Sequence, residues 1–462
     1  MALGCNCAKR LRQKLKRPKN ADWNFSMKIA MIGTGYVGLV SGVCFAEFGF
    51  TVTCVDKNPA IVKRLQAGEV TIFEPGLDEL LARNARDGRL TFTTELAETV
   101  ADADVIFVAV GTPSRRGDGE ADLQYIHAAA DEIAAAMKPN AVVVIKSTVV
   151  VGTNADVRDR IAKARPGVPF SMVSNPEFLR EGSAVEDFLR PDRVVVGVHD
   201  DAGAAAMKRV YRPLYLRETP MIVTTLENAE IIKYAANAFL AMKVTFINEV
   251  ADLCEKSGGN VQDVARAIGM DNRIGSKFLH AGPGFGGSCF PKDTRAYAAT
   301  GRKMNAPQTL IEQVVTVNEQ RKRSMAERIV EAAKKNGAKS VAVLGIAFKP
   351  NTDDIRESPA LDIIPALQDA GLTVRAHDPE ARSAAEQVLT DVTWCKSAYD
   401  AIEGAGITVL LTEWNAYRSL NLKKVSELMS GNILFDLRNV FNEQELEGSG
   451  LEYHSIGRPL IK

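Results

Sequence analysis

Residues 28–56 constrain the fold of this chain more than any other stretch. A short apolar run over 28–32 leads into Gly33-Thr34-Gly35-Tyr36-Val37-Gly38. A helical pattern follows over 36–48, then a second apolar run over 51–55 that ends at Asp56. Strand, glycine turn, helix and strand in that order form the opening unit of a parallel sheet. Gly33 permits the tight bend, Gly35 lets backbone approach a pyrophosphate, and Gly38 lets the helix pack on the strand. Tyr36 and Val37 stand in the first helical turn, whose unpaired N–H groups and positive dipole end attract phosphate. Asp56, 18 residues beyond the third glycine, is placed to bond ribose hydroxyls and repel a 2′-phosphate. The unit predicts NAD rather than NADP, with Lys57 next door slightly weakening that exclusion.

The α/β alternation continues. Apolar runs recur at 105–110, 142–145 and 170–173, and a second series begins at 341–344. It proceeds through a helix near 361–369 and strands near 372–376, 407–411 and 433–436. Between the two series, 226–256 contains no Gly or Pro and keeps a helical apolar pattern; at 1.5 Å per residue it makes ~46 Å of helix. The fold class expected is α/β: two Rossmann-like doubly wound domains joined by a long central helix, itself a candidate dimer interface. The divisions are 1–26, 27–215 (NAD binding), 216–320 (central) and 321–462 (second α/β domain).

The 462 residues hold 57 basic and 57 acidic side chains, but this zero is a cancellation. Residues 1–26 carry seven Lys/Arg against Asp22, or +6, which leaves −6 on the other 436. The basic segment is expected to lie outside the fold as a solvated extension, an anionic-surface arm being the sharper alternative. Neither nucleic acid nor membrane is expected as a partner, since no run approaches the ~20 apolar residues of a span. Seven scattered cysteines, with no Cys-x-x-Cys, suit neither a disulfide framework nor a zinc site and favour a cytoplasmic location.

The chemistry-bearing residues cluster in three motifs. Residues 282–293 read GPGFGGSCFPKD, which puts Cys289 in a glycine-rich loop four residues before Asp293. A thiolate nucleophile there needs a nearby base or cation. Lys233 and Asn237 lie at i, i+4 on one face of the long helix, suited to steadying an oxyanion. Glu177, in NPEFLREG after the 170–173 run, stands where α/β sheets place ligands.

GTGYVG, VGTP at 110–113, KST at 146–148, NPEFLREG at 175–182, KYAANAFLA at 233–241, GFGGSCFPKD at 284–293 and GIAFKPNTDDIRES at 345–358 occur in that order. From residue 27 to 458 the chain resembles the nucleotide-sugar dehydrogenases of the UDP-glucose/GDP-mannose dehydrogenase family. The resemblance implies a four-electron oxidation of UDP-glucose to UDP-glucuronate with two NAD+ reduced, GDP-mannose being the alternative substrate. A non-catalytic nucleotide-sugar sensor would be expected to lose Cys289, Lys233 or Asn237; all three are present. The resemblance makes Cys289 the nucleophile, through a thiohemiacetal and a thioester. Lys233 and Asn237 steady oxyanions, Thr148 and Asp293 position water or assist proton transfer, and Glu177 serves thioester hydrolysis. Thr112, Thr148, Glu181 and Arg356 join the cofactor contacts. Phe178, Leu179, Arg180, Lys233, Phe278, Phe285, Gly286, Lys349 and Arg438 are implied for the UDP-sugar. Arg273 is implied to reach across a homodimer to the partner's substrate.

Overall fold

A computed structural model describes residues 27–113, 115 and 121–461; the basic 1–26 segment lies outside the described residues. Strands β1 (Lys28–Ile32), β2 (Thr51–Val55), β3 (Leu90–Thr93), β4 (Val105–Val108), β5 (Ala141–Ile145), β6 (Phe170–Ser174), β7 (Val194–Val198) and β8 (Met221–Thr224) form one sheet. Its order is β3-β2-β1-β4-β5-β6-β7-β8, and every pairing is parallel except β6 with β7. The strand order reverses at β1, so the crevice at its carboxyl end, between β1 and β4, is the ligand position of a doubly wound sheet. Helices cover both faces. Their apolar sides form two cores, one built on Met31, Phe45 and Phe107, the other on Ile106, Ile133 and Val143.

A second sheet repeats the plan with β9 (Ser340–Leu344), β10 (Thr373–His377), β11 (Val392–Trp394), β12 (Ile407–Leu410), β13 (Ile433–Asp436) and β14 (Glu452–Ser455). Its order is β11-β10-β9-β12-β13-β14, all parallel. The turns of the two copies differ. In the first, Asp56 accepts from Thr34 alone within the glycine turn, through its N–H (3.0 Å) and its hydroxyl (2.6 Å). In the second, Asp378 after β10 is buried and accepts from the N–H groups of Ile346 (2.6 Å) and Ala347 (3.0 Å) and from the Trp414 indole (3.2 Å). The donors a phosphate would need there are already satisfied internally.

The sheets are joined by the helix Leu226–Ser257, 32 residues long. Its start is fixed by the Thr225 hydroxyl, which accepts from Asn228 N–H, and its end by Gly258 at φ +77°. A second long helix, Thr309–Asn336, follows, which the apolar pattern of the sequence does not announce. Ile247 and Ala251 of the first helix and Met325 and Ile329 of the second join the core of the second sheet. Among the described residues, no helix is long and apolar enough to cross a membrane.

Candidate active site

The three glycines of the turn differ in their surroundings. Gly33 has φ +96°, and a Cβ there would stand 2.6 Å from the Ala109 carbonyl oxygen. A Cβ on Gly38 would meet the Gly33 oxygen at 2.0 Å. A Cβ on Gly35 would meet nothing within 4 Å, so the fold itself leaves that space open. Open space above a helix start, with Asp56 at the end of β2, fits a dinucleotide pyrophosphate and ribose. Val37 packs on the domain core. The Tyr36 hydroxyl donates to the buried Glu74 carboxylate, which also accepts the N–H groups of Gly182 and Ala184 at 2.7 Å each. Lys57 is exposed and pairs with Glu132. The Thr112 hydroxyl donates to the Thr148 carbonyl at 2.9 Å, joining the two threonine motifs.

Beside this cleft lies a cavity of about 490 Å3 whose lining includes Glu177, Lys233, Asn237 and Cys289. Cys289 caps the helix Phe290–Lys303, and Asp293 N–H donates to its carbonyl at 2.8 Å. The loop before it is pinned to the second domain. Gly287 N–H donates to the Arg356 carbonyl at 2.8 Å, and a Cβ on Gly286 would meet the Glu357 oxygen at 2.3 Å. The long helix brings up Lys233 and Asn237, both buried. Lys233 Nζ bonds Glu177 Oε1 at 3.1 Å, and Asn237 Nδ2 donates to Asp293 Oδ2 at 2.6 Å. Asp293 also holds the Lys292 ammonium at 2.7 Å.

Burial sets the protonation chemistry. It pushes the Cys289 thiol up to about 11, aided by Glu177 and Asp293 and opposed by Lys233 and the Ser288 hydroxyl. Burial works against the Lys233 ammonium, but Glu177, Cys289 and Asp293 outweigh it and hold that group above its ordinary value. Lys233 is therefore a fixed cation beside a neutral thiol, ready for negative charge that appears only during reaction. Glu181 joins three segments: it accepts from the Ser288 hydroxyl at 2.9 Å and from Arg356 at 3.3 Å. Burial and then Asp354 raise it to about 7, against Arg356.

The other expected residues divide. Phe178, Leu179, Arg180, Phe278, Gly286 and Lys349 line the cavity. Phe178 lies 5.3 Å from the Lys233 ammonium and 3.7 Å from the Arg193 guanidinium. Phe278 sits at φ +65°, and burial lowers Lys349. Phe285 packs with Ala241 and Val314 in a small core, its N–H donated to Asn318, so its ring stands away from the lining. Arg438 reaches the Phe348 carbonyl at 3.0 Å and Glu413 at 3.2 Å. The Arg273 side chain is 89% exposed and pairs with Asp271. Sequence reasoning missed Arg193, Tyr211 and Glu74, none of which carries a local motif. Among the described residues, no group of three or more His, Cys, Asp or Glu is placed to hold a metal ion.

This geometry has close relatives. Residues 27–215 match the NAD binding domain of the UDP-glucose/GDP-mannose dehydrogenase family, 227–320 its central domain and 342–443 its UDP binding domain. The chain belongs to this family. As a member it is an NAD-dependent oxidoreductase, and NAD is its cofactor. It is 54% identical to a UDP-glucose 6-dehydrogenase of Rhizobium meliloti (strain 1021), over 94% of this chain and all of that one. It is 45% identical to the UDP-glucose 6-dehydrogenase TuaD of Bacillus subtilis (strain 168), covering 94% of each. The solved UDP-glucose dehydrogenase of Pyrobaculum islandicum superposes with a TM-score of 0.86 at 39% identity, covering 94% of this chain and 98% of that one. Within the family fold, the Cys289 cavity lies where the NAD binding, central and UDP binding segments meet.

Proposed function

We propose that the chain oxidises C6 of UDP-glucose from alcohol to carboxylate, giving UDP-glucuronate and two NADH. The observation that carries this reading is the convergence of Cys289, Lys233, Glu177 and Asn237 on one cavity beside the dinucleotide turn, with Asp293 bonded to Asn237 behind it. The names of the similar enzymes support UDP-glucose as substrate.

When bound, NAD+ supplies the hydride acceptor for each oxidation. Loss of hydride from C6 and of the hydroxyl proton leaves an aldehyde beside Cys289. The thiol adds: a C–S bond forms and the S–H proton passes to the former carbonyl oxygen, giving a thiohemiacetal. Loss of a second hydride and of that hydroxyl proton leaves a thioester. Water then adds, the C–S bond breaks, and acid and thiol are released. Lys233 and Asn237 stabilise the oxyanions, an effect that grows in a cavity sheltered from water. Thr148 and Asp293 serve water positioning and proton transfer, and Glu177 activates the hydrolytic water. Lys349 and Arg438 clamp the diphosphate, with Phe178, Leu179, Arg180, Phe278 and Gly286 around the UDP-sugar and Phe285 behind them, packed edge-on against Phe290. Thr112, Glu181 and Arg356 complete the cofactor contacts.

The proposal includes a cytoplasmic homodimer. Phe239, Phe246 and Leu253 are 57%, 50% and 67% exposed and recur every seven residues on the long helix, an apolar stripe suited to a second copy. Arg273, extended into solvent in one chain, would reach the partner's substrate. Cys44, Cys54, Cys254, Cys289 and Cys395 are unpaired, in keeping with a reducing compartment.

The deciding experiment measures NADH formed with UDP-glucose, GDP-mannose and UDP-N-acetyl sugars side by side. UDP-glucose should be preferred and yield two NADH each. A ratio of one would mean simple alcohol oxidation, and preference for GDP-mannose would transfer the reading to that sugar.

A further inference from the structure

Lys146 is a buried cation that the chemistry above does not use. It follows β5 directly, its N–H donates to the Val108 carbonyl at 2.9 Å, and its side chain lines the Cys289 cavity at 3% exposure. Its ammonium is 3.3 Å from Asn175 Oδ1 and 3.4 Å from the Tyr211 hydroxyl. Tyr211 donates to the same Asn175 oxygen at 2.6 Å, and Asn175 Nδ2 donates to the Val195 carbonyl at 2.8 Å. Two residues beyond Asn175 stands Glu177. Among the described residues, the structure gives Lys146 no ion-pair partner. A buried, unpaired ammonium is costly, and the groups here that favour it are Glu177 and, more weakly, Cys44.

We propose that Lys146 is a positioning residue for Glu177: it fixes the Asn175–Pro176–Glu177 turn and keeps a positive charge beside the carboxylate when Lys233 turns to the substrate oxygen. The inference rests on the covalent course proposed above. In the free site, Glu177 is paired with Lys233. An ammonium that stabilises an oxyanion gives up part of its hold on its earlier partner, and a second cation fixed by neutral groups does not. The charged and titratable groups facing Lys146 are Glu177 on its turn, Lys233 on the long helix, Tyr211 beyond the helix Asp201–Val210, and Cys44 on the helix Tyr36–Glu47. Burial lowers Lys146 to about 8, with Glu177 opposing the fall, so its charge is present at neutral pH and lost just above.

The test uses the full chain with UDP-glucose and NAD+, comparing wild type with Lys146→Gln, Lys146→Arg and Tyr211→Phe. Rapid-quench mass spectrometry follows the adduct on Cys289, and the rate of acid release is read against pH. Lys146→Gln keeps a donor toward Asn175 without the charge. It should slow acid release at least about tenfold while the first NADH forms near the wild-type rate, so the adduct accumulates. The wild type should lose release activity above a limb near pH 8. Lys146→Arg should retain turnover and push that limb beyond about pH 9.5, because arginine stays charged. Tyr211→Phe should leave the limb in place. Wild-type release by Lys146→Gln, or an unmoved limb in Lys146→Arg, would overturn the proposal. If Lys146→Gln does not fold, the arginine variant alone decides. Failure of the underlying reading is separable: Cys289→Ser would still produce UDP-glucuronate, whatever position 146 holds.

Discussion

Gly35→Ala should separate cofactor binding from stability. Gly35 has φ −66° and ψ −174°, a conformation alanine adopts without strain. An added Cβ would meet nothing within 4 Å. Such a Gly→Ala change stabilises by about 0.4–1 kcal/mol, because the unfolded chain loses freedom. For a domain of this size that is a rise of about 1–4 °C in Tm. The same methyl occupies the space through which pyrophosphate must approach the backbone, so the Kd for NAD+ should weaken at least about tenfold, or ~1.4 kcal/mol. Gly33→Ala is the control. At φ +96°, with the Ala109 oxygen 2.6 Å from the new carbon, it combines a left-handed penalty with a clash; it should cost about 2 kcal/mol or more and lower Tm by several degrees. Calorimetric melting without cofactor and titration with NAD+ read the two effects apart. If Gly35→Ala melted as low as Gly33→Ala, or bound NAD+ like the wild type, the assignment of the open space to pyrophosphate would be wrong.

Three further outcomes are expected. Cys289→Ser should abolish steady turnover while UDP-glucose still binds in calorimetry; wild-type-like turnover would remove covalent catalysis. Phe246→Glu should shift the sedimentation of the chain from dimer to monomer, and a variant that sediments like the wild type would place the interface elsewhere. Glu181, raised from 4.5 to about 7 by burial and then Asp354, holds its proton more tightly in the folded state. Its stabilising contribution is present at low pH and is lost as pH rises through about 7. Wild-type Tm should therefore fall more steeply between pH 5 and 8 than that of Glu181→Gln, and parallel curves would contradict the origin of the shift.

Local signals were legible in the sequence and distant ones were not. The turn 33–38 and Asp56 could be read because strand, glycines and acid lie within 29 residues. The strands ending at Ile32 and Asp436 contain continuous apolar runs over 29–32 and 433–435, as buried parallel strands require. By contrast, β8 carries the apolar run Met221-Ile222-Val223 yet stands at the sheet edge with Ile222 and Val223 exposed, a placement that no local pattern dictates. The helix Thr309–Asn336 hid for another reason: its inner face carries Arg321 and Lys322, both buried. Arg321 bonds the Gly282 carbonyl at 2.7 Å and Asp252 at 2.9 Å, and Lys322 pairs with Asp362 at 3.3 Å. Polar residues in a buried stripe erase the apolar period. Cys289, Lys233 and Glu177 stand in local motifs, whereas Arg193 and Tyr211 reach the same cavity only through the packing of separate segments.

The two sheets share a plan, but their turns differ among the described residues: the first keeps open space above Gly35, whereas in the second Asp378 takes the N–H groups of both Ile346 and Ala347. On the proposed four-electron course, a chain with a single berth for a dinucleotide must use it twice. The first reduced cofactor has to depart, and a fresh oxidised one arrive, before the carbon is finished. A free aldehyde could diffuse away during that wait. The bond to Cys289 thus acts as a mooring, converting one cofactor site into two consecutive oxidations. It follows that the residence time of spent cofactor, rather than either hydride transfer, is a natural place for this enzyme's speed limit.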